Sequence, residues 1–587
     1  MRDERISICE LAPLGSRLAR WLPIVSPPVD RLLGIAAIDD LYRRSQLAAL
    51  PPLEFSSAAL ATLDVSVDPV RTVAGAGIPA EGPVIIVCNH PFGAIEALVL
   101  ADALRGVRSD VRFLANAGLR VFRELRPVLI PTNPLRVTQQ NIASIRACEA
   151  HLGAGGVLVL FPAGKVSFHQ AHKGGITDGP WNRLVGRLAL ATGAAILPVY
   201  FHGTNSRAFH AMGRLWDRSK LLMLPRELLR QRGRTVRYCA GRPIAATAWR
   251  HMDAVELTRY ARLMTYAQAD APVAAPQVAS APAAAPLAPH GDAAEIEREL
   301  DALPPRQRLL DFKHFSVAYA SARQIPVLME EIARERERVF RMHDEGSGQP
   351  VDTDAFDQTY VQLLVWDREG HGLVGAYRMG RTDRLLAASG ADGLYLSRVF
   401  EFAPGFHEAA RPALELGRSF IVPEHQRSFH GLYLLWQGIG RYLALHPDYR
   451  RLYGTVSLSR QYDPRAVAML CDAVIAPSPA VRARVPLRGP SSGEWQDFRR
   501  HVGRPDLATL SAIVRGLDAE GKDLPVLLRH YMKLGASFHC VGVDPNFNDT
   551  PGLLLSVDVP ALERKTLATF LGTSAELYLA HNPMESE

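Results

Sequence analysis

Residues 83–96 read PVIIVCNHPFGAIE, and this stretch decides the fold of the first half of the chain. Its apolar, β-branched run through Val87 is typical of a buried strand. A polar turn follows the strand and leads into a helical pattern from about Ala94. Two further buried-strand patterns lie at 156–161 and 196–201, with helical patterns between them. Strands that alternate with helices predict an α/β layer structure.

The turn after this strand carries His90, and Glu96 lies six residues on, in the following helix. Active groups gather at the carboxyl ends of strands in open α/β sheets. A histidine there can act as a general base. A carboxylate can hold its second ring nitrogen, as the acid of a catalytic triad does, with the hydroxyl of an acceptor replacing the serine. The alternative interpretation is a structural Asn-His turn without chemistry.

The sequence around this pair resembles the lysophospholipid acyltransferase-like family of glycerolipid acyltransferases. The family core is usually His-x4-Asp, whereas five residues separate His90 from Glu96, as in the HPxGxxE variant of the branch that acylates lyso-ornithine lipids. Further blocks follow in the family order, FLAN at 113–116, FPAGKVS at 161–167, ILPV at 196–199 and GTNS at 203–206. The resemblance implies a glycerolipid-acyltransferase-like α/β domain.

The resemblance implies that His90 and Glu96 are catalytic and that a set of nearby residues binds substrate. These residues are Asn89, Pro91, Gly93, Phe161, Pro162, Gly164, Lys165 and Ser167. Backbone amides near Gly164 or after Gly93 are expected to stabilise the oxyanion that forms during acyl transfer.

The third block departs from the FPEGTRS of the family, because Ala163 and Val166 replace the glutamate and the arginine. In relatives that arginine helps to bind the phosphate of the acceptor. Its replacement favours a phosphate-free acceptor, although Lys165 is a candidate substitute charge. The alternative interpretation of Lys165 is a solvated loop lysine.

Residues 271–290 form the clearest domain boundary, because fourteen of these twenty residues are Ala or Pro. Such a segment cannot bury enough apolar surface to order itself, so it predicts a tether. The sequence therefore divides into an N-terminal helical region at 1–54, the α/β domain at 55–265, an Ala/Pro-rich linker at 266–304 and a second domain at 305–587. Several strand patterns and one long helical pattern predict an α+β fold for the second domain.

The second domain contains the stretch ELGRSFIV at 415–422, which has the character of a buried strand. Glu415 and Arg418 are three residues apart and are therefore expected to lie on opposite faces of that strand. One of them would then be a buried catalytic or binding charge. The alternative is an edge strand with an ion pair on the surface.

The order of motifs around this strand resembles the GNAT-like ornithine N-acyltransferases, which are often called hemolysin-like and are distantly similar to acyl-homoserine-lactone synthases. The motifs are DAFD at 354–357, VGAYR at 374–378, LLWQGI at 434–439, GTVSLS at 454–459, LLRHYMKLGA at 527–536 and DPNFN at 544–548. The resemblance implies a GNAT-like α+β domain that forms an amide, in which the α-amine of ornithine attacks a 3-hydroxyacyl thioester on acyl carrier protein.

This amide chemistry needs a carboxylate base, and Glu415 is the candidate. Arg378 or Arg418 is expected to pair with the carboxylate of the amino acid. The remaining residues expected to bind substrate are Asp354, Asp357 and Ser419. The loop QRSFHG at 426–431 departs from the glycine pattern that holds a pyrophosphate, which favours acyl carrier protein over coenzyme A as the donor.

The net charge of +7 and the pI of about 9.1 suit acidic partners such as anionic lipid surfaces or an acyl carrier protein, or reflect ordinary surface charge. Four arginines, at 334, 336, 338 and 341, alternate with glutamates, so a solvated helix with internal ion pairs is expected and carrier-protein binding is the alternative. The six cysteines lack metal-ligand spacing, so neither a metal site nor a bound cofactor is expected.

The N-terminus lacks the pattern of a secretory signal, and no apolar run is long enough for a membrane span. We therefore expect a cytoplasmic protein. The lipid product that the resemblance implies places it peripherally on the inner face of the membrane, and no binding of nucleic acid is expected.

Together, the resemblances imply that the second domain makes an N-acylated amino acid whose 3-hydroxyl is then acylated by the first domain. Three alternatives remain open. The first is the same chemistry on glycine or glutamine, the second a 1-acylglycerol-3-phosphate acyltransferase with a non-catalytic second domain, and the third a non-enzymatic hemolysin.

Overall fold

The computed structural model describes residues 6–7, 22–48, 50–73, 75–132, 139–170, 173, 175–215, 219–270, 284–404, 406, 412–487 and 493–581. The chain forms two compact units. The first unit comprises Met1–Pro276 and Ser491–Asp523, and the second comprises Gln277–Pro490 and Leu524–Glu587. The mixed α/β architecture predicted from the sequence is confirmed.

The first unit is built on a seven-stranded sheet in the order β1-β9-β8-β2-β5-β3-β4. Its strands, with the hairpin β6–β7, are β1 Ser66–Arg71, β2 Val84–Cys88, β3 Val111–Asn116, β4 Leu129–Thr132, β5 Val157–Leu160, β6 Phe168–Gln170, β7 Gly175–Thr177, β8 Ala195–Phe201 and β9 Thr235–Ala240. Strand β2 lies at the centre of the sheet and pairs in parallel with both β5 and β8. All five residues of β2 are buried, as their apolar pattern predicts.

Helices pack against the sheet and lie near the carboxyl end of β2. The helices of residues 22–270 are α1 Leu22–Leu33, α2 Ile35–Arg44, α3 Pro52–Thr62, α4 Ile95–Leu104, α5 Gln139–Gly153, α6 Leu184–Thr192, α7 Arg207–Leu215, α8 Ser219–Arg230 and α9 Ala254–Ala267. Helix α4 follows β2 directly, and its Val99, Leu100 and Leu104 pack into the main core cluster with β2. The predicted boundary at 54/55 falls inside α3.

The second unit is built on an eight-stranded sheet in the order β10-β11-β12-β13-β15-β16-β19-β18. Its strands, with the separate pair β14–β17, are β10 Arg308–Phe312, β11 Phe315–Ser321, β12 Val361–Asp367, β13 Gly372–Arg381, β14 Phe400–Phe402, β15 Ala413–Ile421, β16 Arg451–Ser457, β17 Val481–Ala483, β18 Ser537–Asp544 and β19 Thr550–Asp558. Every neighbouring pair of the large sheet is antiparallel except β15 and β16, which are parallel.

Strands β15 and β16 pair over only four residues each, 413–416 with 451–454. Beyond this point β15 pairs with β13 alone, and β16 pairs with β19 alone. The two parallel strands therefore separate along their carboxyl halves. This separation opens the middle of the sheet just beyond Glu415, at the residues that carry the predicted site.

The later helices divide between the two units. They are α10 Ala293–Asp301, α11 Pro326–Arg341, α12 Thr382–Ser389, α13 Leu396–Val399, α14 Pro423–Gln426, α15 Phe429–Leu445, α16 Pro464–Val474, α17 Gly493–Val502, α18 Leu507–Leu517, α19 Val526–Lys533, α20 Arg564–Leu571 and α21 Ala575–Ala580. The sequence placed residues 305–587 in one domain, whereas α17 and α18 pack in the first unit.

Residues 271–283 of the predicted Ala/Pro-rich tether lie outside the described residues, so only the part from residue 284 onward can be compared with the prediction. The last part of the segment is held in place within the second unit. The N–H of Ala285 donates to Gly348 O over 2.9 Å, and the N–H of Ala288 donates to Pro350 O over 3.1 Å. The His290 Nδ1 lies 2.9 Å from Oε1 of Glu331 on α11. The tether prediction is therefore wrong for residues 284–290.

Among the described residues, no helix combines the length and the apolar character that crossing a membrane requires.

Candidate active sites

The end of β2 is fixed by a buried asparagine. The Asn89 Nδ2 donates to Phe201 O over 2.9 Å, and the N–H of Phe201 donates to the Asn89 Oδ1 over 2.7 Å. The side-chain amide of Asn89 therefore continues the hydrogen bonding between β2 and β8 up to Phe201, the last residue of β8. Asn89 was expected to bind substrate, but the structure places it as a clamp between two strands, with its side chain away from the cavity described below.

The predicted pair His90 and Glu96 is brought together at the start of α4. The His90 Nδ1 lies 3.3 Å from the Glu96 Oε1. The His90 ring is 15% exposed, whereas the Glu96 side chain is fully buried. Because Glu96 faces Nδ1, Nε2 is the ring nitrogen that can take a proton from an acceptor.

Glu96 also organises the turn between β2 and α4. Its Oε1 accepts the N–H of Phe92 over 2.7 Å, and both of its oxygens accept the N–H of Gly93 over 3.1 Å. Burial alone would raise the pKa of the carboxyl, but the His90 ring and the Phe92 amide outweigh it and hold the pKa below 4.5. Glu96 is therefore an anion at neutral pH and can stabilise an imidazolium at His90.

Three amides near the expected oxyanion site are already used within the structure. Those of Phe92 and Gly93, just before the predicted position after Gly93, donate to Glu96. The Gly164 amide donates to Phe161 O over 3.0 Å. These three N–H groups are therefore not available to an oxyanion in this structure.

The backbone of His90 rests on a buried carboxylate that the sequence analysis missed. The N–H of His90 donates to the Asp178 Oδ1 over 3.1 Å, and the Ser167 hydroxyl donates to the same oxygen over 2.6 Å. The N–H of Ser167 donates to His90 O over 2.8 Å. Ser167 was expected to bind substrate, but it is buried. Its hydrogen bonds connect residues 161–167 to the turn that carries His90.

The fourth block supports the same turn from the other side. The Asn205 Nδ2 donates to Phe92 O over 3.1 Å. Gly203 lies against the Phe92 ring, so close that a Cβ there would come within 2.6 Å of Cζ. Gly93 has a φ of +102°, and a Cβ on it would lie 2.6 Å from Leu224 of α8. These close approaches explain why glycines occupy both positions.

His90 opens onto an apolar cavity of about 600 Å³. Residues of α2, α3, α4 and α8 form much of its wall, together with residues 113–116 and 160–166 of the second and third blocks. Five of the predicted substrate-binding residues line it, namely Gly93, Phe161, Pro162, Gly164 and Lys165. Pro91 is buried and does not line it. The cavity suits an acyl chain, because its surface is mainly hydrocarbon.

Phe161 and Lys165 contribute differently to this cavity. The Phe161 ring stacks on the imidazole of His90, with centroids 4.3 Å apart. Among the described residues that line the cavity, Lys165 is the only lysine or arginine. Val166, where relatives carry arginine, is buried against Gly93.

The predicted polar residues of the second unit form one buried cluster beside the separation of β15 and β16. The Arg378 guanidinium is 1% exposed and contacts the Asp354 Oδ1 at 2.5 Å and the Asp357 Oδ1 at 3.2 Å. Burial would raise the pKa of Asp357, but Arg336 and Arg378 hold it at about 2. Both contacts are made by Nη1 of Arg378, and its buried Nε has no hydrogen-bond partner among the described residues.

Arg336 of α11 belongs to this cluster. Its Nη2 lies 2.9 Å from the Asp357 Oδ2, its Nε lies 2.9 Å from the Asp352 Oδ2, and its side chain is fully buried. The expected solvated helix is therefore wrong for this residue. The sequence could have indicated this burial, because Ile332, Arg336 and Phe340 are four residues apart and therefore lie on one face of α11, which is buried.

A bulge in β15 determines where Arg418 lies. The four residues of β15 from Gly417 to Phe420 lie opposite the three residues of β13 from Arg378 to Ala376, and Arg418 has a φ of +50°. The bulge carries Arg418 to the face of Arg378, where its Nη2 lies 3.7 Å from the Asp354 Oδ2. The expectation that Glu415 and Arg418 lie on opposite faces is wrong, because it assumed an unbroken strand.

The guanidinium of Arg418 is held between two aromatic rings, 4.9 Å from the centroid of Tyr395 and 4.6 Å from that of Phe547. The Tyr395 hydroxyl donates to the Asp544 Oδ2 over 2.6 Å. Ser419, next in the bulge, is half-buried and lies near the Tyr377 hydroxyl.

Glu415 is buried at the edge of this cluster. Its Oε1 accepts the N–H of Leu396 over 3.0 Å, Tyr360 lies near the carboxyl, and the buried Oε2 has no hydrogen-bond partner among the described residues. Burial raises the pKa of Glu415 to about 7, against the opposing effects of the Leu396 N–H, Tyr360 and Arg378. A carboxyl with this pKa can accept a proton at neutral pH and release it again, as a general base must.

A second buried carboxyl, Glu345, was not found from the sequence. Burial raises its pKa to about 7, and it hydrogen-bonds with Ser457 of β16 and faces the charge of Arg418. It follows α11 in the chain, in a loop without a motif, so neither spacing nor periodicity identifies it.

Two family models match the chain, one on each side of the Ala/Pro-rich segment. Residues 10–271 match the family described as "Acyltransferase", and residues 336–437 match the family described as "Acetyltransferase (GNAT) domain". The protein is an acyltransferase that carries an acyltransferase domain and a GNAT domain.

Curated proteins similar to this chain are N-acyltransferases. A glycine N(alpha)-acyltransferase of Bacteroides thetaiotaomicron is 28% identical over 274 residues, which cover 43% of this chain and 80% of that protein. A glycine N(alpha)-acyltransferase of Phocaeicola vulgatus is 26% identical, over 43% of this chain and 83% of that protein. An L-ornithine N(alpha)-acyltransferase of Agrobacterium fabrum is 27% identical, over 41% of this chain and 81% of that protein.

A solved structure of the coenzyme A-dependent acyl-homoserine lactone synthase BjaI, with SAM and isopentyl-CoA, is similar at 13% identity. It covers 44% of this chain and 87% of that chain, with a TM-score of 0.21.

Proposed function

We propose that this chain makes an ornithine lipid in two acyl transfers. The second unit joins a 3-hydroxyacyl group to the α-amine of ornithine, and the first unit transfers a second acyl group to the 3-hydroxyl of that product. The observation that carries the proposal is that the chain holds two separate acid–base sites. One is the His90–Glu96 pair on an apolar cavity, and the other is Glu415 in a buried cluster of charges.

In the first unit, Nε2 of His90 takes the proton of the acceptor hydroxyl as the oxygen attacks the thioester carbonyl. The new C–O bond forms, the C–S bond breaks, and the proton passes from His90 to the departing thiolate. Glu96 holds the imidazolium at Nδ1 through this cycle. Two features support an acceptor without phosphate: Val166 is buried, and Lys165 is the only lysine or arginine among the described residues that line the cavity.

In the second unit, the α-ammonium of the amino acid must lose a proton before its nitrogen attacks the thioester. Glu415, directly or through water, accepts that proton, and its pKa of about 7 suits the task. The C–N bond forms as the C–S bond breaks, and the thiol leaves with a proton. Arg418 is the candidate partner of the substrate carboxylate, since its ion pairs with Asp352 and Asp354, at 3.3 and 3.7 Å, are the longer ones of the cluster.

The charge balance of the cluster supports ornithine over glycine as the acceptor. Even when Glu345 and Glu415, whose pKa values are raised to about 7, are protonated, the four carboxylates of Asp352, Asp354, Asp357 and Asp544 outnumber the guanidinium groups of Arg336, Arg378 and Arg418. A buried surplus of acid is relieved by a ligand with net positive charge. Ornithine carries a second ammonium and a net charge of +1, whereas glycine is neutral overall.

The donor is proposed to be an acyl carrier protein. In the loop before α15, the Ser428 hydroxyl already accepts the N–H of His430 over 3.2 Å, which leaves one fewer amide for a pyrophosphate. Because the products are lipids, we place the protein in the cytoplasm at the inner face of the membrane.

Isotope labelling tests the proposal. The chain would be expressed in a host without aminolipids, grown with 15N-ornithine or 15N-glycine under conditions that prevent exchange of the label. We expect the ornithine label in both a singly and a doubly acylated lipid, detected by mass spectrometry. Glycine label in these lipids would instead favour the N-acylation of glycine, for which two of the similar proteins are named. Rescue of a host lacking lysophosphatidate acylation, without any aminolipid, would contradict the proposal.

A further inference from the structure

Helices α17 and α18 lie late in the chain yet pack in the first unit, together with α9. We propose that this segment, residues 491–523, completes the first active site, and that Glu494 is a positioning residue that acts on His90 through Arg262 and Asp178. The inference rests on the proposed O-acyl transfer at His90. All of the contacts that carry it lie within the first unit.

The first step is a bidentate ion pair between α17 and α9. The Arg262 Nε lies 2.7 Å from the Glu494 Oε2, and its Nη2 lies 2.8 Å from the Glu494 Oε1. The two side chains are only 9% and 10% exposed. Lys173 adds a contact with the Glu494 Oε1 at 3.0 Å. A paired guanidinium fork of this kind fixes direction as well as distance.

The second step is the set of hydrogen bonds that Arg262 donates to residues 177–179, at the end of β7. Its Nη1 donates to Gly179 O over 2.7 Å. Its Nη2 donates to Asp178 O and to the Thr177 Oγ1, each over 3.2 Å. The guanidinium also lies 4.7 Å from the ring centroid of Tyr266. One arginine thus holds three consecutive residues, and Glu494 holds that arginine.

The third step is the contact of Asp178 with the catalytic turn. The same Asp178 whose carbonyl binds Arg262 accepts, through its Oδ1, the N–H of His90 and the hydroxyl of Ser167. Its Oδ2 accepts the Trp181 Nε1–H over 2.9 Å. A shift of the backbone at residue 178 therefore moves the support under His90. A displacement of about 1 Å in a catalytic group can cost on the order of 100-fold in rate.

The segment is also anchored at points far from Glu494. The Tyr260 hydroxyl donates to Ala512 O over 2.9 Å, and the His251 Nε2 lies 3.1 Å from the Thr509 Oγ1. The Arg242 Nη1 donates to Ala519 O over 2.9 Å. These contacts hold α18 and the end of the segment in place when Glu494 is changed, so Glu494 can be tested without detaching the segment.

The test uses the full chain with three substitutions on α17, Glu494→Gln, Glu494→Asp and the matched control Asp497→Asn. Asp497 contacts Lys173 at 2.9 Å and Arg500 at 3.0 Å, on the same helix as Glu494. Purified proteins would be assayed separately for O-acylation of the N-acyl amino acid and for N-acylation. For E494Q we expect a 10- to 100-fold lower kcat in O-acylation with KM within twofold. N-acylation is expected to stay within twofold of wild type.

The other variants separate positioning from general stability. E494D keeps the charge and is expected to recover part of kcat, whereas D497N is expected to stay within twofold of wild type. The inference is overturned if E494Q retains full kcat, if only KM changes, if D497N loses as much as E494Q, or if O- and N-acylation fall in parallel. His90→Ala is measured alongside. If H90A retains O-acylation, the proposed function itself fails, whereas loss in H90A with full activity in E494Q overturns this inference alone.

Discussion

The Nδ1 of His90 lies 3.3 Å from the Oε1 of Glu96, and that same oxygen accepts the amide of Phe92 two residues after the histidine. One buried carboxylate therefore orients the ring and shapes the turn that carries it. Gly93 lies between His90 and Glu96 with a φ of +102°, and its own amide also donates to Glu96.

The first prediction concerns the charge of Glu96. In Glu96→Gln the amide oxygen can still accept the Phe92 N–H, but the anion beside the imidazolium is lost. We expect kcat for O-acylation to fall by about 10²- to 10⁴-fold, the range of a general acid–base contribution. N-acylation should be unchanged. Asp102→Asn, on the same helix, is the control and should retain activity within twofold. Retention of half the O-acylation rate in E96Q would contradict the assignment.

Glu96 also links the stability of the first unit to pH. Because its folded pKa is lowered below 4.5, it contributes stability that is present above pH 4.5 and lost as the pH falls through the folded value.

The second prediction concerns the tight turn at Gly93. A Cβ there would lie 2.6 Å from a methyl of Leu224 and 2.9 Å from one of Val166, in addition to the strain of a positive φ. We expect Gly93→Ala to lower O-acylation more than 10-fold and to reduce the melting temperature of the chain. Gly77→Ala is the matched control, since Gly77 has a φ of +75° but an added Cβ would meet nothing within 4 Å. Equal effects of the two substitutions would show that the packing at Gly93 has no special role.

The third prediction is the pH dependence of N-acylation. If Glu415 is the base, the rate should rise with pH through about 7 and fall nearly tenfold per unit well below it. Glu415→Gln should remove at least 99% of the activity across the range. A rate profile that is flat from pH 5.5 to 8 would contradict Glu415 as the base.

The same raised pKa affects stability with the opposite sign from Glu96. The folded state binds the Glu415 proton more tightly than the unfolded chain does, so stability falls as the pH rises from 4.5 through about 7. A shift from 4.5 to about 7 corresponds to about 3 kcal/mol. E415Q, which removes this cost, should therefore gain stability relative to wild type at pH 8 and not at pH 4.5, as measured by chemical denaturation.

The fourth prediction concerns the buried charges around Arg336. Arg336→Met leaves Asp352 and Asp357 with less compensation in a largely buried site, which costs about 3–5 kcal/mol. N-acylation should fall more than 10-fold. Arg323→Met, on the surface before the same helix, is the control and should behave like wild type. The double variant R336M/D357N should be less destabilised than the sum of the two single changes, and additivity would argue against the ion pair.

The parts of the fold that the sequence predicted are those with strong local periodicity. The buried strand through Val87, the turn at His90 and the helix after it all follow from residues within fourteen positions. The long strand and helix of the GNAT unit were located in the same way, since 415–422 and 431–445 match β15 and α15 closely.

The parts that the sequence did not reveal depend on contacts between distant residues. Asp178 lies 88 positions from His90, and Glu494 lies 232 positions from Arg262, so no local pattern joins them. The amphipathic patterns of α17 and α18 are the same whichever unit they pack in. The bulge at Arg418 was missed because a positive φ at a non-glycine residue is uncommon and is fixed by its neighbours, not by its own preference.

The most direct test of two acyl transfers in one chain is the lipid profile of two variants in a host without aminolipids. The chain with His90→Ala should accumulate the singly acylated amino acid and make none of the doubly acylated lipid. The chain with Glu415→Gln should make neither, although it should still O-acylate a supplied N-acyl amino acid. Doubly acylated lipid from the H90A chain, at the wild-type level, would contradict the account.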